Sequence, residues 1–340
     1  MRAVLFRNSS VHIEAVKDKA LDPHHVRIMT KAVGLCGTDY AIASGSYQTV
    51  SPLVLGHEFT GVVTEVGSKV DQNWLGKRVT AEINTSTCGH CFYCTQGMRS
   101  HCPSRKALGI HRDGALADEV VLEDSLLHQL PDNLSFIGGT FVEPLAAAYQ
   151  TFVQMPVSSG PSDQTLVVFG LGKMGLLVGQ VAKQHGYCVV GVGGSTKKLQ
   201  LARELGFDVT VNRRTDDPRQ EILKMTEEVG ADVVVDTSGD PTILNQLIGV
   251  TRSRGSIHVK STPGTQVQLD LTQLVVREIT LSTSRCGPFE QALEGLRTGT
   301  IHVRPLVTKV ISLEESVDVL NNPKLRQEEV KVVVQVGHEP

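Results

Sequence analysis

The sequence predicts a two-domain α/β protein, in which a block of alternating strands and helices interrupts a β-rich domain built from both ends of the chain. Three observations carry this expectation. From about residue 165, strand-like and helical runs alternate with a repeat of about 25 residues, the rhythm of βαβ units around a parallel sheet covered on both faces. Residues 1–130 instead hold short apolar runs punctuated by glycine-bearing turns. After about residue 284 the pattern turns mixed again and closes on the run EVKVVVQV. A chain of 340 residues suits about two domains, here 1–149 with 284–340, and 150–283.

Each element follows from its local pattern. MRAVLFR reads as a strand carrying Arg2 and Arg7, without the apolar core of a secretory signal. VRIMTKAVG, GVVTEVG and DEVVLED are further strands of the first domain. In the central block TLVVFG is a buried strand and KMGLLVGQVAKQHG a helix. YCVVGVGG is the next strand, followed by the helix TKKLQLARELG, stopped by Gly206. DVTVN, DDPRQEILKMTEEVG and ADVVVDTSG repeat the alternation, and PTILNQLIGVTRSRG with SIHVK completes it.

Composition excludes several classes. Hydrophobic residues make up 40% and charged residues 20%, enough for packed cores and unlike disordered chains. The formal charge of −3, from 33 basic and 36 acidic residues, leaves no basic excess for nucleic acid or an anionic membrane. No apolar run approaches the ~18 residues of a membrane span. A cytoplasmic protein is expected.

Four of the seven cysteines fall in TCGHCFYCTQGMRSHC, with the spacing C-x2-C-x2-C-x7-C over Cys88, Cys91, Cys94 and Cys102. Four thiolates so close in sequence can converge on one tetrahedral ion, and Zn²⁺ suits a closed all-sulfur site. An Fe–S centre or a redox pair is the other use of such a cluster. A zinc held by four protein ligands has no open position, so a structural lobe is expected at about residues 84–106.

The turn Gly170-Leu171-Gly172-Lys173-Met174-Gly175 follows a strand and opens a helix. In that context G-x-G-x-x-G reads as a dinucleotide site: Gly170 for the tight turn, Gly172 for approach of a pyrophosphate, Gly175 for close packing. The next strand ends without the Asp or Glu that would accept a ribose 2′-hydroxyl. Gly193, Gly194, Ser195, Thr196, Lys197 and Lys198 stand there instead. Amides, hydroxyls and ammonium groups attract a 2′-phosphate that a carboxylate would repel. NADP(H) is therefore expected over NAD(H), with NAD(H) still a possible cofactor.

Three motifs remain: GLCGTD (34–39), GHEFTGVV (56–63) and FVEPLAAA (141–148). They offer a thiolate, an imidazole and carboxylates, a donor set suited to zinc with an exchangeable position. With these in place the whole chain resembles the zinc-dependent medium-chain alcohol dehydrogenases, in the order CGTD, GHE, four-cysteine lobe, EPL, GLGKMG. The resemblance implies a GroES-like catalytic domain with a Rossmann domain inserted in it. It implies Cys36, His57 and Glu143 as ligands of a catalytic zinc, with Glu58 as a neighbouring or alternate ligand. Glu143 matches the polyol and threonine dehydrogenase branches, where classical alcohol dehydrogenases have Cys. It also implies Thr38 as the hydroxyl that hands on the alcohol proton, Asp39 as the carboxylate orienting His57, and Lys331 on the cofactor pyrophosphate. Two zinc ions per chain, a polyol, sugar or secondary alcohol substrate, and a homodimer or homotetramer follow.

Tyr40, Ser46, Tyr47, His111 and Arg285 are weaker candidates for a substrate pocket, and Cys188 reads as a buried, inert thiol. Lys173 stands where the family often has Pro, and the short loop between CGTD and GHE departs from some sugar dehydrogenases. The competing readings are a zinc-binding, nucleotide-sensing protein that has lost catalysis and a zinc-ribbon nucleic-acid binder. The intact Cys36, Thr38, His57, Glu143 set argues against the first and the charge balance against the second.

Overall fold

The computed structural model describes residues 1–154, 164–262, 264–326 and 328–337. The chain divides into two compact units, Met1–Glu143 with Leu306–Pro340, and Pro144–Pro305.

The first unit is β-rich. Its larger sheet runs in the order Leu127–Gln129, Arg78–Ala81, Glu58–Val66, His25–Gly34, Lys331–Gln335, Val307–Ile311, with Glu119–Glu123 also paired to His25–Gly34. His25–Gly34 alternates as a half-buried strand does, with Val26, Ile28 and Thr30 inward. The C-terminal strand Lys331–Gln335 lies antiparallel to it, Val333 opposite Gly34, so the chain's end completes a sheet begun near its start. A smaller sheet joins Ser10–Ala15, Arg2–Arg7 and Leu53–Val54. The ribbon formed by Asn84–Thr85 and Lys106–Ala107 closes the base of the cysteine lobe.

The second unit is a six-stranded sheet in the order Val209–Asn212, Cys188–Gly193, Thr165–Phe169, Ala231–Asp236, Thr251–Val259, Thr280–Thr283. Every pairing in it is parallel. In strand order this is 3-2-1-4-5-6, the doubly wound dinucleotide fold, with its switch point beside the carboxyl end of the first strand. The valines of the central strands are buried, as a sheet covered on both faces requires.

Two expectations need correction. The breaks lie at 143/144 and 305/306 rather than 149/150 and 283/284. The segment after residue 284 stays with the nucleotide unit because it is packed there. Gly287 lies so close to the Ala146 carbonyl that a Cβ would come within 1.9 Å of it. His302 exchanges two hydrogen bonds with the Gln180 side chain, at 2.7 and 3.2 Å. Likewise, the helix expected through PTILNQLIGVTRSRG covers only Leu244–Val250, and Thr251 already begins a strand that runs to Val259. Pairing with Ala231–Asp236 overrides the local pattern there.

Candidate active site

The cysteine lobe is the simpler of two candidate metal centres. Cys88, Cys91, Cys94 and Cys102 bring their sulfurs within 4.8 Å of one another, and none is in a disulfide. Backbone N–H groups already point at sulfur: Cys91 donates to Cys88 Sγ and Cys88 to Cys102 Sγ, both at 3.4 Å. The Cys88 N–H, with help from other donors, pulls the Cys102 thiol down to about 6 against the effect of burial. Burial pushes Cys94 up to about 12. Four convergent sulfurs fit a closed zinc site.

The second centre lies in the β-rich unit. Cys36 precedes the helix Gly37–Ala43, His57 immediately precedes the strand Glu58–Val66, and Glu58 opens it. One donor atom from each of Cys36, His57 and Glu58 falls within 4.8 Å of the others. His57 and Glu58 are buried. Asp39 ties the two loops together. Its fully buried carboxylate accepts from Cys36 N at 2.8 Å and from Gly56 N at 3.1 Å. Its Oδ1 is 3.7 Å from His57 Nδ1, and that buried nitrogen has no hydrogen-bond partner. Burial works against a charged His57, but Asp39 and then Cys36 and Glu143 raise it to about 9. Burial also pushes the Asp39 carboxyl up. A thiol, an imidazole and a carboxylate converge here, the last two buried, with a buried ring nitrogen turned to the Asp39 carboxylate, and this donor set fits a zinc ion.

The other expected residues fall into place unevenly. Glu143 sits in the first turn of the helix Val142–Gln154, and its charge reaches His57. Thr38 lies, partly exposed, in the first turn of Gly37–Ala43. Lys331, expected on the cofactor pyrophosphate, lies beside Glu58. Its side chain is 0% exposed, with Nζ donating to Glu58 Oε2 and, at 3.2 Å, to the Leu35 carbonyl. Burial lowers it to about 8 although Cys36 and Asp39 favour its charged form. The ammonium fits because residue 34 is glycine: any Cβ there would overlap it. Lys331 thus neutralises the buried Glu58, as a carboxylate without water requires. Among the weaker candidates, His111 Nδ1 accepts from the Ala107 N–H at 3.1 Å. Cys188 is only half-buried, and burial raises its thiol.

In the nucleotide unit Gly170 has φ +97°, and a Cβ on Gly175 would lie 1.9 Å from Gly170 O. Neither position tolerates a side chain. Gly172 caps the helix Lys173–Gln184, and its Cβ position faces open space, the room a pyrophosphate needs. The strand Cys188–Gly193 ends with Leu171 of the turn against Gly193. Thr196, Lys197 and Lys198 form the first turn of Thr196–Glu204, capped by Ser195. These groups fit a dinucleotide.

Lys260 and His258 form a polar cluster that no motif marks. Lys260, just past the strand Thr251–Val259, donates to Ala147 O at 2.7 Å and to Ser284 Oγ at 2.9 Å. His258, fully buried, bonds Ser282 Oγ and Ser284 Oγ, each at 2.8 Å. The only signal was a Lys directly after an apolar run, which has no motif to mark it.

Comparison with known proteins gives the class. Residues 22–132 match the alcohol dehydrogenase GroES-like domain, and residues 174–298 match the zinc-binding dehydrogenase family. The chain is 33% identical to a sorbitol dehydrogenase of Halalkalibacterium halodurans, covering 86% of each chain. It is 33% identical to a D-arabitol-phosphate dehydrogenase of Enterococcus avium, covering 96% of this chain and 92% of the other. A zinc-binding dehydrogenase of Sinorhizobium meliloti 1021 bound to NADP superposes with a TM-score of 0.90 at 29% identity, over 98% of both chains. The chain belongs to the zinc-dependent medium-chain alcohol and polyol dehydrogenase family, and it is an oxidoreductase. No finding favours the retired alternative.

Proposed function

We propose that the protein transfers hydride between a polyol, sugar or secondary alcohol and NADP(H), at a site formed by Cys36, Thr38, Asp39, His57, Glu58 and Glu143. The observation that carries this reading is the gathering of one donor atom each from Cys36, His57 and Glu58 within 4.8 Å of one another, with Asp39 behind the His57 ring. Cys36 and His57 would hold the catalytic zinc, with Glu58 or Glu143 as carboxylate ligand, and the four-cysteine lobe would hold the second. When bound, zinc supplies a Lewis acid and the nicotinamide a hydride acceptor.

The chain's own residues supply the rest. Asp39 fixes both ligand loops through backbone N–H groups, which limits the freedom of Cys36 and His57. Lys331 donates to Glu58 and offsets its charge where water is excluded. Thr38 accepts the alcohol proton and passes it on. The glycines of the 170–175 turn admit the pyrophosphate, and residues 193–198 favour the 2′-phosphate. Relatives that act on sorbitol and arabitol phosphate support a polyol-like substrate, and a relative bound to NADP supports the cofactor.

A cytoplasmic homo-oligomer is part of the same reading. No helix among the described residues is long and apolar enough to cross a membrane. The sheet of the nucleotide unit ends in Thr280–Thr283, near which Val275, Val276 and Leu281 are 67%, 72% and 40% exposed. Such an apolar edge favours pairing with a second copy. The test is a panel of polyols, polyol phosphates, aldoses and secondary alcohols, each with NADP⁺ and NAD⁺. Turnover with at least one alcohol class and a preference for NADP⁺ is expected. No turnover with any class, from protein replete with zinc, would contradict it.

A further inference from the structure

The residues that choose the cofactor need not lie on one strand. In the second unit Gly193 is paired with Asn212 on the neighbouring strand, and the Arg213 N–H donates to the Gly193 carbonyl at 2.9 Å. The chain therefore leaves Val209–Asn212 beside the end of Cys188–Gly193, and two arginines follow at once. Arg214 is held by its own N–H, which donates to Asn212 Oδ1 at 3.1 Å. A Cβ built on Gly194 would lie 3.2 Å from Arg214 Nε and 3.5 Å from Arg213 Nε. Both guanidinium groups thus flank the backbone of Gly194. Both side chains are exposed. The acidic groups facing them are few: Arg213 acts through its charge on Asp240, while Asp216 is engaged by Asn212 N and Thr215 Oγ1.

This arrangement has an electrostatic cost that a bound anion would relieve. Two guanidiniums share one side of a glycine, and Lys197 and Lys198 lie three and four residues further along the chain. A ribose held on the turn Gly170–Gly175 would direct its 2′ position to the end of the second strand. An Asp or Glu there would have paired with these arginines, and none is present.

We propose that Arg213 and Arg214 are specificity-determining residues that grip the 2′-phosphate of NADP(H) across Gly194, and that the absent side chain at residue 194 keeps the gap open. This rests on the NADP(H) reading above and adds to it two residues from a different strand. Guanidinium groups suit the role because they match phosphate oxygens with paired N–H donors and stay charged at any working pH.

The test uses the intact protein and binding rather than turnover. Adenosine 2′,5′-bisphosphate and 5′-AMP are titrated by calorimetry, and NADPH and NADH by fluorescence, into the wild type, Arg213→Ala, Arg214→Ala, the double variant and Arg214→Lys. The double variant is expected to lose ~10-fold or more in affinity for the bisphosphate and NADPH. Its affinity for AMP and NADH is expected to stay within about twofold, and Arg214→Lys to keep part of the discrimination. Unchanged melting temperatures show that the variants fold, as exposed arginines allow. A wild type that prefers the bisphosphate, with a double variant that prefers it equally, overturns the arginine assignment and leaves the NADP(H) reading standing. A wild type that binds AMP as tightly as the bisphosphate overturns both.

Discussion

The two sulfur-bearing centres of the first unit differ in what surrounds the ligands. Around Cys88, Cys91, Cys94 and Cys102 the partners are backbone N–H groups and the four donors are identical. Around Cys36 and His57 the donors are mixed, and the neighbours are buried ionisable groups: Asp39, Glu58 and Lys331. A closed shell of thiolates can only fix the chain. A mixed shell with charged supports can also hold and release protons. Burying three charged side chains carries a stability cost that a purely structural site has no reason to bear.

Exchanging one ligand in each centre separates the two roles most sharply. His57→Ala is expected to lower turnover by at least about 10³-fold while leaving the fold intact. Cys94→Ser is expected to cost more than about 4 kcal/mol of stability, because losing a structural metal is among the largest single-residue effects. Thermal melts and steady-state kinetics on both variants check the contrast, and the reverse pattern would interchange the assignments. A smaller effect is expected from Asp39→Asn. It keeps the shape and weakens the charge that ties the two loops, so zinc affinity or activity should fall about 10- to 100-fold.

The nucleotide unit offers a second contrast. Gly193→Asp is expected to move the NADPH to NADH preference by about tenfold toward NADH, since the new carboxylate repels a 2′-phosphate. Leu171 must yield slightly, because the added Cβ would sit 3.0 Å from its Cδ1. An unchanged ratio of kcat/KM values would count against the cofactor reading.

The mildest prediction concerns pH. Burial, and then Lys260, lower His258 to about 4 from its ordinary 6.5. Between those values the unfolded chain takes up a proton that the folded chain refuses, so stability falls as pH falls from 6.5 to 4. The loss is complete once the pH is below both values. His258→Gln is expected to flatten that part of a melting-temperature profile. An identical profile would show that His258 is not held neutral.

What the sequence made legible was local. The spacing of the four cysteines and the strand–turn–helix setting of Gly170–Gly175 each sit within one short segment, where spacing alone limits the geometry. CGTD and GHE supplied Cys36, Asp39 and His57, although not the way Asp39 accepts from the backbone on both loops. Contacts between distant segments were not legible. Lys331 is 273 residues from Glu58, and only pairing of the last strand beside His25–Gly34 brings them together. Arg213 and Arg214 were invisible because strand order, and not chain order, places them beside Gly194. The early end of the helix at Val250 reflects sheet pairing, which local propensity does not contain.

Zinc content measured beside turnover, on the wild type and on Cys36→Ser, tests the account most directly. About two zinc ions per chain are expected in the wild type, and about one, with turnover abolished and the melting temperature nearly kept, in the variant. A Cys36→Ser protein that retains both its second zinc and its rate, or a wild type that turns over with the lobe's zinc alone, would contradict it.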